Sequence, residues 1–517
     1  MPSSKVLPIE LRANILNNLD RTVDKDTLHA LKDASNEWSN VCQYYLSERL
    51  VVGAFCLRPG IHKQNLESIL GNIAINRKFL KDLTIYSDLG NDIGVLAPLL
   101  QKPTNLKDLQ IVSWCNEIGD FIIKFLDINH QDIYKLTLHS FSGPNIPKIF
   151  KSKATNTIRS LTIHFTDGNI PLFEILDKFT GLETLQLTNF TNTLSVDLPS
   201  TNINSVNQTK IYPKMQTFSI AFSVPSTTDK LLTFERINTM FPSLTELHFR
   251  IHKFKAKNTV TYQGSQEISI ADAYSIDLSS NFNRLVKLAV FRISRTFVDR
   301  LTQFCTKLEN LTIQVFPEIR GTGGDDSNNT VAEDLQHLLT TTKLPHLKYL
   351  WISGCGHILS GRNCENKLFR TQTGNSNAIK QQDLSPLNVI KIGLTNLKKL
   401  NTWPMVFTPL VFHAVTQFRN IEHLTIGFSS LENIDIVARV AQMPNVIILE
   451  VTIQCDIVNS FGSNNNKNHS HLLVGLVKIF PNVRVAKFRG VKTDMIVPLR
   501  ERFPNVMFVM PEGCDFL

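Results

Sequence analysis

No apolar run in this chain approaches the 18 residues that a membrane-spanning helix requires. The opening stretch, MPSSKVLPIELRANIL, carries Arg12 and Asn14 where a secretory signal needs unbroken apolar residues. An intracellular protein, cytoplasmic or nuclear, is expected, with no membrane partner. No CxxC occurs, and the eight cysteines, at 42, 56, 115, 305, 355, 364, 455 and 514, share no spacing, so reduced thiols are expected. Catalytic signatures are missing too: there is no GxSxG, no HExxH and no GxxxxGK[ST]. No enzyme, cofactor or metal site is therefore expected. Charge is low, at 19% of residues, and no run of five basic residues exists. The 54 Lys and Arg exceed the 45 Asp and Glu by nine. Residues 1–50 are slightly acidic, so the excess is spread thinly along 51–517. That is a mild bias toward acidic partners and not a nucleic-acid signature, so no nucleic-acid partner is expected.

What the sequence does have is apolar residues, 42% of 517, and a mean hydropathy of −0.05. This is enough for a large core and excludes global disorder. One pattern recurs: apolar, two variable residues, apolar, one variable, apolar. It reads LKDLTI from Leu80, LKDLQI from Leu106, IYKLTL from Ile133, IRSLTI from Ile158 and LETLQL from Leu182. It continues as MQTFSI from Met215, LTELHF from Leu244, LVKLAV from Leu285, LENLTI from Leu308 and LKYLWI from Leu347. LKKL from Leu397, IEHLTI from Ile421, VIILEV from Val446, VRVAKF from Val483 and VMFV from Val506 follow, and VVGAFCL (51–57) holds a weaker first copy starting at Val52. Ten of the fifteen gaps between these sixteen starts are 23–29 residues long, and chance does not give such regularity.

Each copy predicts a short strand that buries positions one, four and six. FPSL (241–244), LPHL (344–347), MPNV (443–446) and the two FPNV stretches (480–483, 503–506) put proline before the strand. Proline there ends a preceding helix and predicts an extended approach to the strand. Helical spacing marks the segments between, as in residues 119–129, 170–181, 296–307 and 471–482. No single coil buries its apolar face, so stacking makes the core. Residues 51–517 resemble the leucine-rich repeat family. The resemblance implies an α/β solenoid of about 16 irregular coils, a horseshoe with parallel strands on its concave face and helices outside. The family's ladder Asn or Cys falls eight residues after the first Leu. Here that place holds Cys355 in one coil, but Asp88, Trp114 and His252 in others.

Polar insertions at 191–210, 253–281, 316–330, 356–385 and 456–470 each follow a strand, so all are expected along one rim. Such clustering marks a binding edge or tolerated loops.

Residues 1–50 break the repeat. LPIELRANILNNL (7–19) places Leu7, Leu11, Ile15, Leu16 and Leu19 on one helical face with Pro8 at the helix start. Leu28, Leu31, Ala34, Trp38 and Val41 continue at spacings of three and four. A bundle of about three helices is expected, which would cap the solenoid. This segment resembles the F-box, with Leu7, Pro8, Glu10, Leu11, Ile15, Leu16 and Leu19 matching its first helix. The turn RTVDKDT (21–27) is longer than that family's usual one. The resemblance implies docking onto a Skp-type adaptor, and through it a cullin, with Leu7, Pro8, Ile9, Leu11, Ile15 and Leu16 carrying the contact. The combination of F-box and leucine-rich repeats implies the substrate receptor of an SCF-type ubiquitin ligase, with a protein as substrate. The alternative is an interaction scaffold whose N-terminal bundle only caps the repeats.

Strand alternation sends positions three, five and seven to the face opposite the core. His139 and His164 fall in neighbouring strands there, two imidazoles where a metal wants three or four ligands. Cys355, His357 and Cys364 make a similar cluster, and no metal is assigned to either. Arg250, Phe291, Tyr349 and Trp351 are the candidate substrate-binding residues, because aromatics and arginine dominate binding hot spots. Trp351 is equally placed to pack beneath the 356–385 insertion.

Overall fold

The computed structural model describes residues 49–52, 81–86, 105–112, 116–142, 146–167, 172–189, 210–222, 234–251, 282–291, 295–315, 338, 344–354, 394–406, 415, 418–428, 442–453, 470–489, 491 and 493–509. Residues 1–48 of the F-box-like segment lie outside them, as do the five insertions apart from Lys210 and Ser470. The chain divides into two compact units, Met1–Ser205 and Val206–Leu517. The division expected from the sequence, at 50/51, falls inside the first strand, which spans Arg49–Val52.

Among the described residues, the first unit holds six parallel strands in chain order: β1 (Arg49–Val52), β2 (Asp82–Tyr86), β3 (Asp108–Val112), β4 (Lys135–Ser142), β5 (Ser160–Asp167) and β6 (Thr184–Asn189). The second holds ten: β7 (Thr217–Phe222), β8 (Glu246–Ile251), β9 (Lys287–Phe291), β10 (Asn310–Val315), β11 (Tyr349–Gly354), β12 (Lys399–Val406), β13 (His423–Phe428), β14 (Ile448–Ile453), β15 (Val485–Arg489) and β16 (Met507–Val509). These too are parallel and pair consecutively. Fifteen of the sixteen repeat copies thus contribute a strand, the remaining strand ends at Val52, where the weak first copy begins, and each unit is a parallel α/β arrangement of solenoid type.

The repeat positions set the core. Leu106, Leu109 and Ile111 are buried, and so are Ile158, Leu161 and Ile163, Leu244, Leu247 and Phe249, Leu308, Leu311 and Ile313, and Ile421, Leu424 and Ile426. Registers align position four with position four, as in Leu136↔Leu161 and Leu424↔Leu449, so the apolar columns run unbroken across neighbouring strands. Between strands lie α1 (Asn116–Ile128), α2 (Ile146–Ile149), α3 (Leu172–Lys178), α4 (Phe234–Met240), α5 (Arg295–Phe304), α6 (Ser470–Lys478) and α7 (Thr493–Arg502). In α1 the apolar stripe Phe121, Ile122, Phe125 and Leu126 is buried, and Asn129 Nδ2 closes the helix end by donating to the Phe125 carbonyl at 2.9 Å. No helix among the described residues is long and apolar enough to cross a membrane.

The helices stop short of the segments expected from periodicity because their last residues form a turn. The position-one N–H donates to the carbonyl three residues back: Leu182 to Phe179 at 3.1 Å, Leu244 to Phe241 at 3.1 Å, Leu308 to Cys305 at 3.1 Å and Val483 to Phe480 at 3.1 Å. Proline in FPSL and FPNV is therefore the second residue of a β-turn, whose φ it presets, and the approach to the strand is turned rather than extended.

Two frames differ from the sequence reading. Leu50 pairs with Leu83 and Val52 with Ile85, so Val52 fills position six of the first coil, not position one. At the other end Ala486 pairs with Phe508, so Phe508, not Val509, fills position four. The last coil is one residue short between its turn and strand, and the Phe508 ring stacks on Phe488 at 6.2 Å. In β12 the register slips between Asn401 and Val406, where Pro404 withholds a ladder donor.

A side-chain ladder runs along the turns of the second unit. Asn396 Nδ2 donates to the Pro345 carbonyl at 2.6 Å, Asn420 to Thr395 at 2.6 Å and Asn482 to Pro444 at 2.8 Å, and Asn445 donates to Arg419. Each asparagine directly precedes position one and reaches the turn of the coil before. Arg284 makes the equivalent bond to Pro242 at 3.2 Å. Asn445 and Asn482 belong to the MPNV and FPNV segments, whereas Asn396 and Asn420 stand just ahead of the copies at Leu397 and Ile421. The family's usual ladder place lies elsewhere, and its occupants Asp88, Trp114, His252 and Cys355 are outside the described residues.

Candidate binding face

Positions three and five alternate with the core residues and are half-buried or exposed in most coils, as the inside-outside pattern of β3 and β15 shows. In the first unit this face closes on itself. Lys135 Nζ donates to Asp108 at 2.5 Å, and Gln110 Nε2 lies 2.7 Å from His139 Nε2. An amide N–H can only donate, so with the Gln110 amide in this orientation the imidazole nitrogen is the acceptor. Burial also lowers the His139 pKa. The His139 and His164 rings stack, with centroids 4.4 Å apart and planes 6° from parallel. Ring nitrogens in a face-to-face stack point side by side and do not converge on one ion. Among the described residues no group of three His, Cys, Asp or Glu side chains is placed to hold a metal. Cys355, His357 and Cys364 lie outside those residues.

In the second unit the face has two ion-paired flanks. On one, Lys287 Nζ is 2.6 Å from Glu246. On the other, Glu450 lies 3.0 Å from Lys487 Nζ and 3.2 Å from His423 Nε2. Burial opposes charge on Glu450, but the hydrogen bond and charge of Lys487, then His423 and Arg489, outweigh it and lower its pKa. The His423 pKa is lowered by burial first and by Lys399 second.

Between the flanks, β10, β11 and β12 lay out a grid. The register pairs Asn310 with Tyr349 and Tyr349 with Lys399, then Thr312 with Trp351 and Trp351 with Asn401. These six side chains line a shallow hollow of about 260 Å³ floored by Leu311 and Leu350. Tyr349 is 45% exposed and Trp351 51% exposed. The Asn310 Oδ1 atom is buried and has no hydrogen-bond partner among the described residues.

Of the four residues singled out from sequence, the structure places Tyr349 and Trp351 side by side in this hollow. Arg250 and Phe291 lie in β8 and β9 at position seven, and their side chains are outside the described residues. Leu7, Pro8, Ile9, Leu11, Ile15 and Leu16 are outside them altogether. Lys399, Asn310 and Asn401 were missed. The signal for them is the third and fifth place of the copies at Leu308 and Leu397, which repeat spacing alone aligns with Tyr349 and Trp351. Cys305 is buried at a turn, and burial pushes its thiol pKa up to about 12, so it is no nucleophile near neutrality.

A scan against protein-family models finds no match to this chain, and no curated protein matches it.

Proposed function

We propose that this protein is the substrate-recognition subunit of an SCF-type cullin–RING ubiquitin ligase. Residues 1–50 dock a Skp-type adaptor through Leu7, Pro8, Ile9, Leu11, Ile15 and Leu16, and the repeats hold a target protein in the cytoplasm or nucleus. The docking half is supported by the Leu-Pro-x-Glu-Leu series and the helical spacing behind it. The target-holding half rests on one observation: Tyr349 and Trp351 stand exposed on a face whose flanks are ion-paired, beside an acceptor that lacks a donor. Exposed aromatics next to unsatisfied polar groups are what a hot spot supplies to a partner.

The mechanism is proximity. Holding adaptor and target on one chain raises the target's effective concentration at the ubiquitin-loaded enzyme. No residue of this chain performs bond chemistry in that scheme.

The test is co-elution of the full chain with purified adaptor. A stable complex, lost in Leu7→Asp combined with Pro8→Ala and kept in Trp351→Ala, is the expected result. No complex at micromolar concentration overturns the ligase role and leaves a scaffold.

A further inference from the structure

The chemistry of the hollow on β10–β12 selects among protein targets. Its six lining side chains are Asn310, Thr312, Tyr349, Trp351, Lys399 and Asn401, with no carboxylate among them. The carboxylates nearest in register are already matched. Glu309 lies 3.0 Å from Lys348, Glu422 3.2 Å from Lys398, Glu450 3.0 Å from Lys487 and Glu246 2.6 Å from Lys287. Lys399 has no ion-pair partner among the described residues; its near neighbour is another base, His423, whose charge it disfavours. The hollow therefore offers one unmatched ammonium, one orphan acceptor on Asn310 and a two-ring apolar platform between them.

We propose that this hollow binds an extended, acidic segment of a partner protein. A side-chain carboxylate of the segment pairs with Lys399. A backbone N–H of the segment donates to Asn310 Oδ1, and an apolar or proline side chain lies on Trp351 and Tyr349. This reading deepens the proposed target-holding role of the face and rests on it.

The dimensions agree. Asn310 and Lys399 are two strand spacings apart, about 10 Å, which is about three residues of extended chain. One short segment crossing the strands reaches all three features. A basic segment would meet Lys399 with like charge, and a neutral one would leave it unmatched.

The experiment uses the full chain without adaptor and three dye-labelled peptides of equal length. They share Pro and Tyr positions and differ only in carrying Asp/Glu, Asn/Gln or Lys/Arg. Fluorescence anisotropy should show saturable binding of the acidic peptide alone, weakening as salt rises. Trp351→Ala should lose about thirtyfold in affinity. Lys399→Glu should lose at least about tenfold and turn the preference toward the basic peptide, a gain that misfolding cannot imitate. No saturable binding up to millimolar peptide, equal binding of all three peptides, or unchanged affinity in both variants overturns the inference. Each outcome is separable from the ligase role, because adaptor co-elution is read independently.

Discussion

Leu424→Ala tests whether the repeats are coupled only to their neighbours. Leu424 fills position four of β13 and is 0% exposed, between Leu400 of β12 and Leu449 of β14, which are also 0% exposed. Truncating it removes three methyl or methylene equivalents and leaves a cavity that the flanking leucines close only in part. The expected cost is about 3 kcal/mol, within the range for buried Leu→Ala changes. In a single cooperative block that cost lowers protection everywhere. In a stack of coils it is borne by the altered coil and its nearest partners. Amide hydrogen exchange separates the two. Strands β12, β13 and β14 should exchange roughly a hundredfold faster, the equivalent of about 3 kcal/mol at tenfold per 1.4 kcal/mol. Strands β7, β8 and β9 should keep their parent rates. A uniform acceleration from β7 to β16 would refute nearest-neighbour stacking. No acceleration even in β13 would refute the packing of Leu424 itself.

Three further outcomes follow from particular contacts. His139 and His423 both have folded pKa values below their unfolded value of about 6.5, so the native chain binds fewer protons than the unfolded one below that pH. Stability should be full above the ordinary histidine range and fall as pH drops through the lowered values, and His139→Gln with His423→Gln should flatten that slope in urea titrations. Gly181→Ala puts a Cβ 2.9 Å from the backbone carbonyl oxygen of Asn156, which cannot step aside as a side chain would; the cost should be about 1–3 kcal/mol, and an unchanged melting temperature would contradict it. Asn420→Ala and Asn482→Ala each remove one ladder bond from an exposed turn and should lower stability by about 0.5 kcal/mol, adding in the double variant, as chemical denaturation can resolve.

The core was legible because its rule is local. An apolar residue at positions one, four and six is readable from six letters, and spacing then orders the strands. The two misread frames, at Val52 and Val506, are at the chain's first and last copies, where only one neighbour fixes the register. Several apolar residues there fit the pattern equally well, and the pairing of Leu50 with Leu83 and of Phe508 with Ala486 is decided by partners distant in sequence. Proline's role was half legible. Its fixed φ suits a turn as well as an extended approach, and the hydrogen bond that decides, from position one to the residue before the proline, is invisible in a residue type. The asparagine ladder escaped because it bridges coils from a place the family's usual ladder does not use. At the candidate site, strand alternation identified Tyr349 and Trp351. Lys399 was not singled out, since one lysine among 54 basic residues acquires meaning only when its neighbours' charges are accounted for.

That accounting also separates what the fold needs from what the face does. Position five of the repeat carries threonine at 84, 137, 162, 312 and 425, a β-branched residue suited to a half-buried pleated surface. The fold is thus content with a small side chain at this place, and Trp351 is 51% exposed, so about half of its surface gains nothing from burial within this chain. Trp351→Thr should therefore change unfolding stability by no more than about 0.5 kcal/mol, as exposed substitutions do. The same change should abolish most of the affinity for a target, since it removes the platform and leaves Lys399 and Asn310 in place. Parallel denaturation and binding measurements on this one variant discriminate the roles. A loss of several kcal/mol in stability would make Trp351 a packing residue, and the exposed aromatic pair would no longer speak for a partner.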